Sequence, residues 1–144
     1  MTPYADSSFI ISLIVKDCHT ATAWSVWRDI RVEIMLSYLT ELEVAATLHR
    51  LKVTGELSPE KFAAAALKFD RMLLDGELAR RKVPPHQLYP QAHTLVNQFS
   101  GERAFKSLDI LHVASAMTLH ADTFLTFDDQ QGDLAKIAGL SVLP

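Results

Sequence analysis

The sequence is short of cysteine and of positive charge, and each shortage excludes a class of protein. Cys18 is the only cysteine among 144 residues, so the chain alone can build neither an internal disulfide nor a cysteine-based zinc site. This favours a reduced, cytoplasmic setting. The formal net charge of −3 argues against a protein that binds nucleic acid through its overall charge, so any such contact has to be local.

Long apolar runs are also lacking. The apolar stretch at residues 9–15 is interrupted by Ser12 and is far too short to span a bilayer, and no basic segment precedes it as in a secretory signal. We therefore expect a protein without a membrane segment. The composition, 49% hydrophobic and 22% charged, is that of an ordinary globular protein, and 144 residues suffice to bury one core. The prediction is a single domain over residues 1–144.

Short apolar segments alternate with helical patterns along the chain. Predicted strands lie near residues 4–5, 33–37, 79–83, 123–127 and 140–143. Predicted helices cover approximately residues 9–14, 20–29, 41–53, 58–74, 90–99, 108–120 and 130–138. Such alternation predicts an α/β fold of three layers, in which a mostly parallel central sheet lies between two layers of helices.

Four acidic residues fall at the predicted turns from strand to helix. Asp6 follows the first strand, and Glu43 lies in the first turn after the second. Asp109 opens the helix at 108, and Asp128 follows the strand at 123–127. Because open parallel sheets bind ligands at the carboxyl ends of their strands, we expect the fold to bring these four carboxylates together.

Each acid also has a simpler explanation, because an acid at a helix N-terminus satisfies free N–H groups and complements the helix dipole. Thr40-Glu41-Leu42-Glu43 matches a capping box, in which Glu43 would serve the helix rather than a ligand. Ser58, followed by a proline and a glutamate, predicts a capped helix start that involves none of the four acids. From the residues alone, capping and ligand binding both stay open.

Four segments, taken in order, resemble a known family. They are Tyr4-Ala5-Asp6-Ser7-Ser8, Leu39-Thr40-Glu41-Leu42-Glu43-Val44-Ala45-Ala46, Ser107-Leu108-Asp109-Ile110-Leu111-His112-Val113-Ala114-Ser115-Ala116, and Leu125-Thr126-Phe127-Asp128. Their order and spacing, over nearly the whole chain, are similar to those of PIN-domain proteins, specifically the VapC-type toxins of bacterial and archaeal toxin–antitoxin pairs. The resemblance implies a PIN-like three-layer domain.

The same resemblance implies a metal-dependent endoribonuclease, the toxin of such a pair, in which Asp6, Glu43, Asp109 and Asp128 hold one or two Mg²⁺ or Mn²⁺ ions. The chemistry agrees, because clustered carboxylates repel one another and hard divalent cations prefer oxygen ligands. A bound ion can polarise a phosphodiester and activate a water for attack. RNA is then the substrate, a cognate antitoxin is the partner, and a homodimer is the expected assembly.

Some assignments stay open at this point. Ser8 and Thr126 are candidates to support the acids by hydrogen bonds, although either could simply cap a helix. Asp129 could replace Asp128 as the fourth acid, support it, or cap the next helix. The alternative functions are a non-catalytic PIN-like module that binds RNA or protein, and a housekeeping PIN nuclease without an antitoxin. A phosphotransfer module of the response-regulator type fits less well, because Asp6 is unpaired in sequence.

Two further features are interpreted as packing. His112 lies one turn after Asp109, and no histidine pair has the i, i+4 spacing of a helical zinc site, so we interpret His112 as a core residue. Trp24 and Trp27 are three residues apart and share one face of a predicted helix. An exposed pair there would instead indicate a surface for a partner.

Overall fold

The strands and helices alternate as the sequence predicts. A computed structural model describes residues 1–99 and 103–144, within which five strands form one sheet flanked by seven helices. The strands are β1 (Pro3–Ala5), β2 (Ile34–Ser37), β3 (Leu78–Arg81), β4 (Thr123–Leu125) and β5 (Ser141–Leu143). The helices are α1 (Ser7–Ile14), α2 (Thr20–Ile30), α3 (Tyr38–Val53), α4 (Pro59–Leu74), α5 (Pro85–Phe99), α6 (Ser107–Thr118) and α7 (Asp129–Ile137). The predicted α/β class is confirmed, and every strand pair is parallel.

The sheet has a point at which the direction of winding changes. Its strand order is β3-β2-β1-β4-β5, so the chain moves outward from β1 to β3 and then returns to place β4 on the other side of β1. Ala5 at the end of β1 pairs with Leu125 at the end of β4. In doubly wound sheets the carboxyl ends of two such strands form the ligand crevice. Asp6 and Thr126 follow these two strand ends directly.

A hydrophobic core lies on each face of the sheet. Alternate strand residues point to opposite faces, so Ala5 and Leu125 pack with α1 to α4, whereas Tyr4 and Phe124 pack with α5 to α7. All four side chains are fully buried. Burial on both faces explains why the three inner strands, β1, β2 and β4, are mainly apolar instead of alternating.

The start of α3 corrects one expectation. The helix begins at Tyr38 rather than at residue 41, because the Ser37 hydroxyl accepts the Thr40 backbone N–H at 3.3 Å and caps it. Glu43 therefore lies beyond the first turn, and the proposed capping box of Thr40 and Glu43 is wrong. The predicted cap at Ser58 is confirmed, since its hydroxyl accepts the Lys61 backbone N–H at 3.2 Å.

The start of α5 is also earlier than expected, at Pro85 instead of residue 90. The carbonyl of Pro84 accepts the backbone N–H groups of Gln87 and Leu88, at 3.0 and 2.9 Å. This makes Pro85 the first helical residue, where a missing N–H costs nothing. Pro90 lies inside the helix and gives up only one internal hydrogen bond. Among the described helices, none is long and apolar enough to cross a membrane.

Candidate active site at the carboxyl edge of the sheet

Asp6 is the most deeply buried of the four acids. It is the N-cap of α1, where its Oδ1 accepts the backbone N–H of Phe9 at 3.0 Å. Ser8 donates to the same oxygen at 2.7 Å, and Thr126 donates to Oδ2 at 2.6 Å. Burial raises the pKa of Asp6, and these three hydrogen bonds oppose the rise without reversing it. The carboxylate is thus held in one orientation in a dry environment.

The turn after β4 is tied to Asp6 by the same hydroxyl groups. The backbone N–H of Asp128 donates to Thr126 Oγ1 at 2.9 Å, and the N–H of Phe127 donates to Ser8 Oγ at 2.9 Å. The two hydroxyl oxygens lie 3.3 Å apart. Ser8 and Thr126, named from the sequence as supports, therefore join the end of β1 to the turn that carries Asp128.

Asp109 and Asp128 lie close enough to repel each other. Asp109 is buried in the first turn of α6, and burial together with the charge of Asp128 raises its pKa. Asp128 is the N-cap of α7, and its Oδ1 accepts the backbone N–H of Gln131 at 3.0 Å. Asp129 is exposed at the start of that helix. Of the two neighbouring acids, the structure thus brings Asp128 to Asp109.

Glu43 reaches the same edge from α3 and is half-buried. Its Oε1 lies 2.7 Å from His112 Nε2, and its Oε2 accepts the hydroxyl of Ser7 at 2.9 Å. Burial alone would raise the pKa of Glu43, but the hydrogen bond and charge of His112, together with Ser7, outweigh burial and lower it. Glu43 is therefore held as a carboxylate.

His112 connects the acids, a role that sequence reasoning missed. Its side chain is fully buried on α6, and its Nδ1 lies 3.3 Å from the hydroxyl of Tyr4. Burial raises the pKa values of Asp6 and Asp109, and a positive charge on His112 counteracts the rise in both. The available signal was its spacing, since a residue three positions after Asp109 shares its helix face. The interpretation of His112 as a core residue is confirmed, since its side chain is fully buried, but packing alone does not describe its polar contacts with Tyr4 and Glu43.

Comparison with known proteins identifies the family. Residues 4–138 match the model of the PIN domain. The chain belongs to the PIN domain family. No protein among the curated sequences matches it.

Solved structures share the fold of this PIN domain over almost its full length. VapC20 of Mycobacterium tuberculosis, described as a sarcin-ricin loop cleaving toxin, has a TM-score of 0.72 at 21% identity, covering 99% of this chain and 100% of that one. VapBC2 of Rickettsia felis, bound to a promoter DNA fragment, has a TM-score of 0.73 at 14% identity, covering 99% of this chain and 97% of that one. FitAcB of Neisseria gonorrhoeae has a TM-score of 0.67 at 16% identity, with the same two coverages. At these identities the likeness concerns the fold.

The donor chemistry of this PIN domain suits a hard divalent cation, although its side chains are not gathered around one. Four carboxylates at one edge supply only oxygen ligands, which Mg²⁺ and Mn²⁺ prefer. Within residues 1–99 and 103–144, however, no three acidic, histidine or cysteine side chains lie in an arrangement that could hold an ion. The repulsion between Asp109 and Asp128 is the cost that a cation would remove.

Proposed function

We propose that this PIN domain is a metal-dependent endoribonuclease in which Asp6, Glu43, Asp109 and Asp128 hold Mg²⁺ or Mn²⁺. One observation carries the proposal: acids from three helix starts and from α3 lie at the carboxyl edge of the sheet, where burial and the neighbouring charge of Asp128 raise the pKa of Asp109. Such an electrostatic cost is expected of a site that is completed by a cation.

The residues of the chain would orient the ion and the substrate. When bound, the ion supplies Lewis acidity, which polarises a phosphodiester and lowers the pKa of a bound water. Ser8 and Thr126 fix Asp6, so that its remaining lone pairs keep one direction. Lys106 is exposed and its positive charge acts on Asp109, so it is suited to attract a phosphate to the same edge.

The test is cleavage of single-stranded RNA with Mg²⁺ or Mn²⁺ and with EDTA. We expect cleavage only with metal, and none in Asp6→Asn or Asp109→Asn. Asp75→Asn is the matched control, because Asp75 is an exposed acid at the far end of α4, and it should keep full activity. Cleavage that persists in EDTA, or in both site variants, would rule out this site, and a parent that cleaves no RNA with either metal would favour a non-catalytic module.

We also propose that the enzyme acts as the toxin of a toxin–antitoxin pair in the cytoplasm. Support comes from the fold that it shares with VapC20, which is described as a cleaving toxin, and with the VapBC2 complex. A cognate antitoxin could block the site with an arginine paired to its carboxylates. Trp24 and Trp27, half-buried with ring centroids 5.1 Å apart, are candidates for apolar contacts with it.

The toxin role has its own experiment. Induced expression of the parent should arrest growth with loss of RNA, whereas Asp109→Asn should be harmless. The product of the adjacent gene should co-purify and inhibit cleavage. If the parent cleaves RNA in vitro but is harmless in cells, and the adjacent protein neither binds nor inhibits, a housekeeping nuclease becomes the better account.

A homodimer is the assembly we propose, on the ground of exposed apolar side chains. Tyr38, Tyr89 and Val96 are 59%, 54% and 43% exposed. They border two adjoining grooves over α5 and α6 that share Tyr89 and Leu111. Apolar surface of this kind is typical of an interface. Light scattering should give twice the chain mass for the parent and a monomer for Tyr89→Glu; a monomeric parent would contradict the proposal.

A further inference from the structure

A buried chain of hydrogen bonds leads from the sheet to Glu43. Its members Ser37, Tyr4 and His112 come from β2, β1 and α6 and are all buried. The Tyr4 hydroxyl lies 2.9 Å from Ser37 Oγ and 3.3 Å from His112 Nδ1, and His112 Nε2 lies 2.7 Å from Glu43 Oε1. A buried network whose members are all satisfied is rigid, so it fixes the position of its last member.

The hydrogen bonds of this chain fix which nitrogen of His112 faces Glu43. Oε2 of Glu43 accepts the Ser7 hydroxyl at 2.9 Å, and a carboxylate can only accept, so Nε2 of His112 donates to Oε1. Nδ1 lies 3.3 Å from the hydroxyl of Tyr4, which lies 2.9 Å from Ser37 Oγ, so both ring nitrogens have a partner. Tyr4 therefore holds the ring in the orientation in which Nε2 faces Glu43.

We propose that His112 is a positioning residue that holds the Glu43 carboxylate, on α3, against α6, the helix that carries Asp109. The inference rests on the proposed function, since it concerns the same acids. Each oxygen of Glu43 accepts one hydrogen bond here, from His112 or from Ser7, and each retains a lone pair for a cation. Partners that orient a metal ligand in this way are commonly as important as the ligand itself.

The first measurement is the affinity for Mn²⁺ alone, by titration calorimetry without RNA. His112→Leu should weaken binding by about 10- to 100-fold, which is typical for loss of such a partner. His112→Gln should recover most of the loss, because its amide can still donate to Glu43. Tyr4→Phe should fall between them, since it removes only the hydroxyl that contacts Nδ1 of His112. His86→Leu, at an exposed histidine on α5, should match the parent.

The second measurement asks whether His112 acts through Glu43. If it does, His112→Leu should add no further loss of Mn²⁺ affinity to Glu43→Gln. Nitrogen NMR of the parent should show a proton on Nε2 of His112. Additive losses, an Nε2 without a proton, or unchanged affinity in His112→Leu would overturn the inference while leaving the metal site intact. A parent that binds no Mn²⁺ would overturn both this inference and the proposed function.

A second, independent observation is a series of three nearly parallel rings whose middle member, Phe127, directly precedes Asp128. The fully buried Phe9 stacks on Phe127 with centroids 5.8 Å and planes 13° apart. His19 stacks on Phe127 with centroids 4.3 Å and planes 16° apart. Phe127 directly precedes Asp128, and His19 is exposed. The series thus leads from the core to an exposed ring that packs on the turn carrying Asp128.

The loop that presents His19 is held in place by its own hydrogen bonds. The backbone N–H of His19 donates to Asp17 Oδ1 at 2.8 Å, and Ser12 donates to Asp17 Oδ2 at 2.8 Å. Thr20 Oγ1 donates to the carbonyl of Val15 at 3.0 Å. The ring of His19 is therefore ordered before any ligand arrives, which lowers the entropy cost of stacking on it.

From this geometry we infer that His19 is a stacking platform for an unpaired RNA base at the edge of the proposed active site. The inference rests on the proposed function for the identity of the ligand. Bases of single-stranded RNA stack on aromatic side chains, histidine included, and stacking tolerates any base. Because the chain has a formal net charge of −3, contacts with RNA have to be local, and base stacking adds to the local charge of Lys106.

The test measures by fluorescence anisotropy how tightly oligouridine and an abasic oligonucleotide bind. The protein carries Asp109→Asn so that it does not cleave the RNA. Adding His19→Ala should weaken oligouridine binding roughly fivefold or more, the lower end for one stacked base, and leave abasic binding unchanged. His19→Tyr should bind as well as His19 or better. His86→Ala is the control. An equal loss of affinity for both oligonucleotides, or no loss for either, would overturn the inference that His19 is a stacking platform. If only the antitoxin bound less tightly, the ring would belong to a protein interface.

Discussion

Thr126→Val is the substitution that probes the buried end of the site most directly. Valine has the shape of threonine, so packing is retained while the hydroxyl is lost. Two hydrogen bonds disappear with it: the donation to Asp6 Oδ2 at 2.6 Å, and the acceptance of the Asp128 N–H at 2.9 Å. Because Asp6 is fully buried and Thr126 is 5% exposed, water has little access to replace either bond.

The expected loss of stability follows from the kinds of hydrogen bond involved. A bond to a charged group contributes about 1.5–3 kcal/mol, and a backbone N–H left without a partner adds to that, so we expect a total of about 2–4 kcal/mol. An unfolding entropy of about 2.1 cal/mol/K per residue gives roughly 0.3 kcal/mol/K for this chain, and hence a melting temperature lower by about 7–13 °C.

The loss should depend on pH with a defined sign. The pKa of Asp6 is already raised by burial, and the Thr126 hydrogen bond limits the rise, so the variant raises it further. An acid whose folded pKa exceeds its unfolded value destabilises the fold once ionised, and this penalty is relieved as pH falls through the folded pKa. The difference between parent and variant should therefore be largest near neutral pH and shrink as pH falls toward the ordinary aspartate range.

The assay is thermal unfolding in EDTA, from neutral pH down to about pH 4.5, just above the ordinary range for aspartate. Thr118→Val is the matched control, because Thr118 donates only to the Ala114 carbonyl of its own helix, at 2.8 Å. Its loss should be small and independent of pH. A loss in Thr126→Val no larger than in Thr118→Val, or one that stays constant with pH, would refute the account of Asp6.

Three other substitutions should have smaller effects on stability. Ser58→Ala should lower stability by about 0.5–2 kcal/mol, by unfolding in urea, and leave metal-dependent cleavage unchanged, because it removes only the cap that accepts the Lys61 N–H. Arg80→Ala should cost less than about 1 kcal/mol, since its pair with Glu41 at 2.5 Å is partly exposed, and that loss should shrink in high salt. Gly139→Ala should cost about 1 kcal/mol, because this glycine has a φ of +90°.

Much of the fold was predictable because its signals are local. Each of the inner strands β1, β2 and β4 is a largely buried, mainly apolar run, and Ser58 with the following proline starts a helix as expected. The errors in the predicted helices concern their first residues, which depend on the conformation of the adjoining chain. Ser37 caps α3 only because the chain leaves β2 in an extended conformation, and Pro85 starts α5 although a second proline follows five residues later. Because a proline is rare inside a helix, the sequence predicted that α5 begins at Pro90, whereas it begins at Pro85.

The sequence predicted where the acids lie in the fold, but not the buried groups that contact them. Asp6, Asp109 and Asp128 stand at helix starts, and the order of the strands brings those starts to one edge. The bonds of His112 to Tyr4 and Glu43 join residues 108 and 69 positions apart in sequence. No local pattern predicts such a network, because it forms only where three elements pack together.

Capping and ligand binding, which the sequence left as alternatives, are compatible at two of the acids. Asp6 caps α1 through Oδ1, and Asp128 caps α7 through Oδ1, so in each case the cap engages one oxygen of a carboxylate that has two. A cap also fixes the direction of the side chain, which a metal ligand requires. Asparagine caps a helix about as well as aspartate but brings no charge, so Asp→Asn changes should leave these helices intact while weakening any bound cation. The same residues thus start the helices and supply the charge, which is why helix capping alone could not exclude them as ligands.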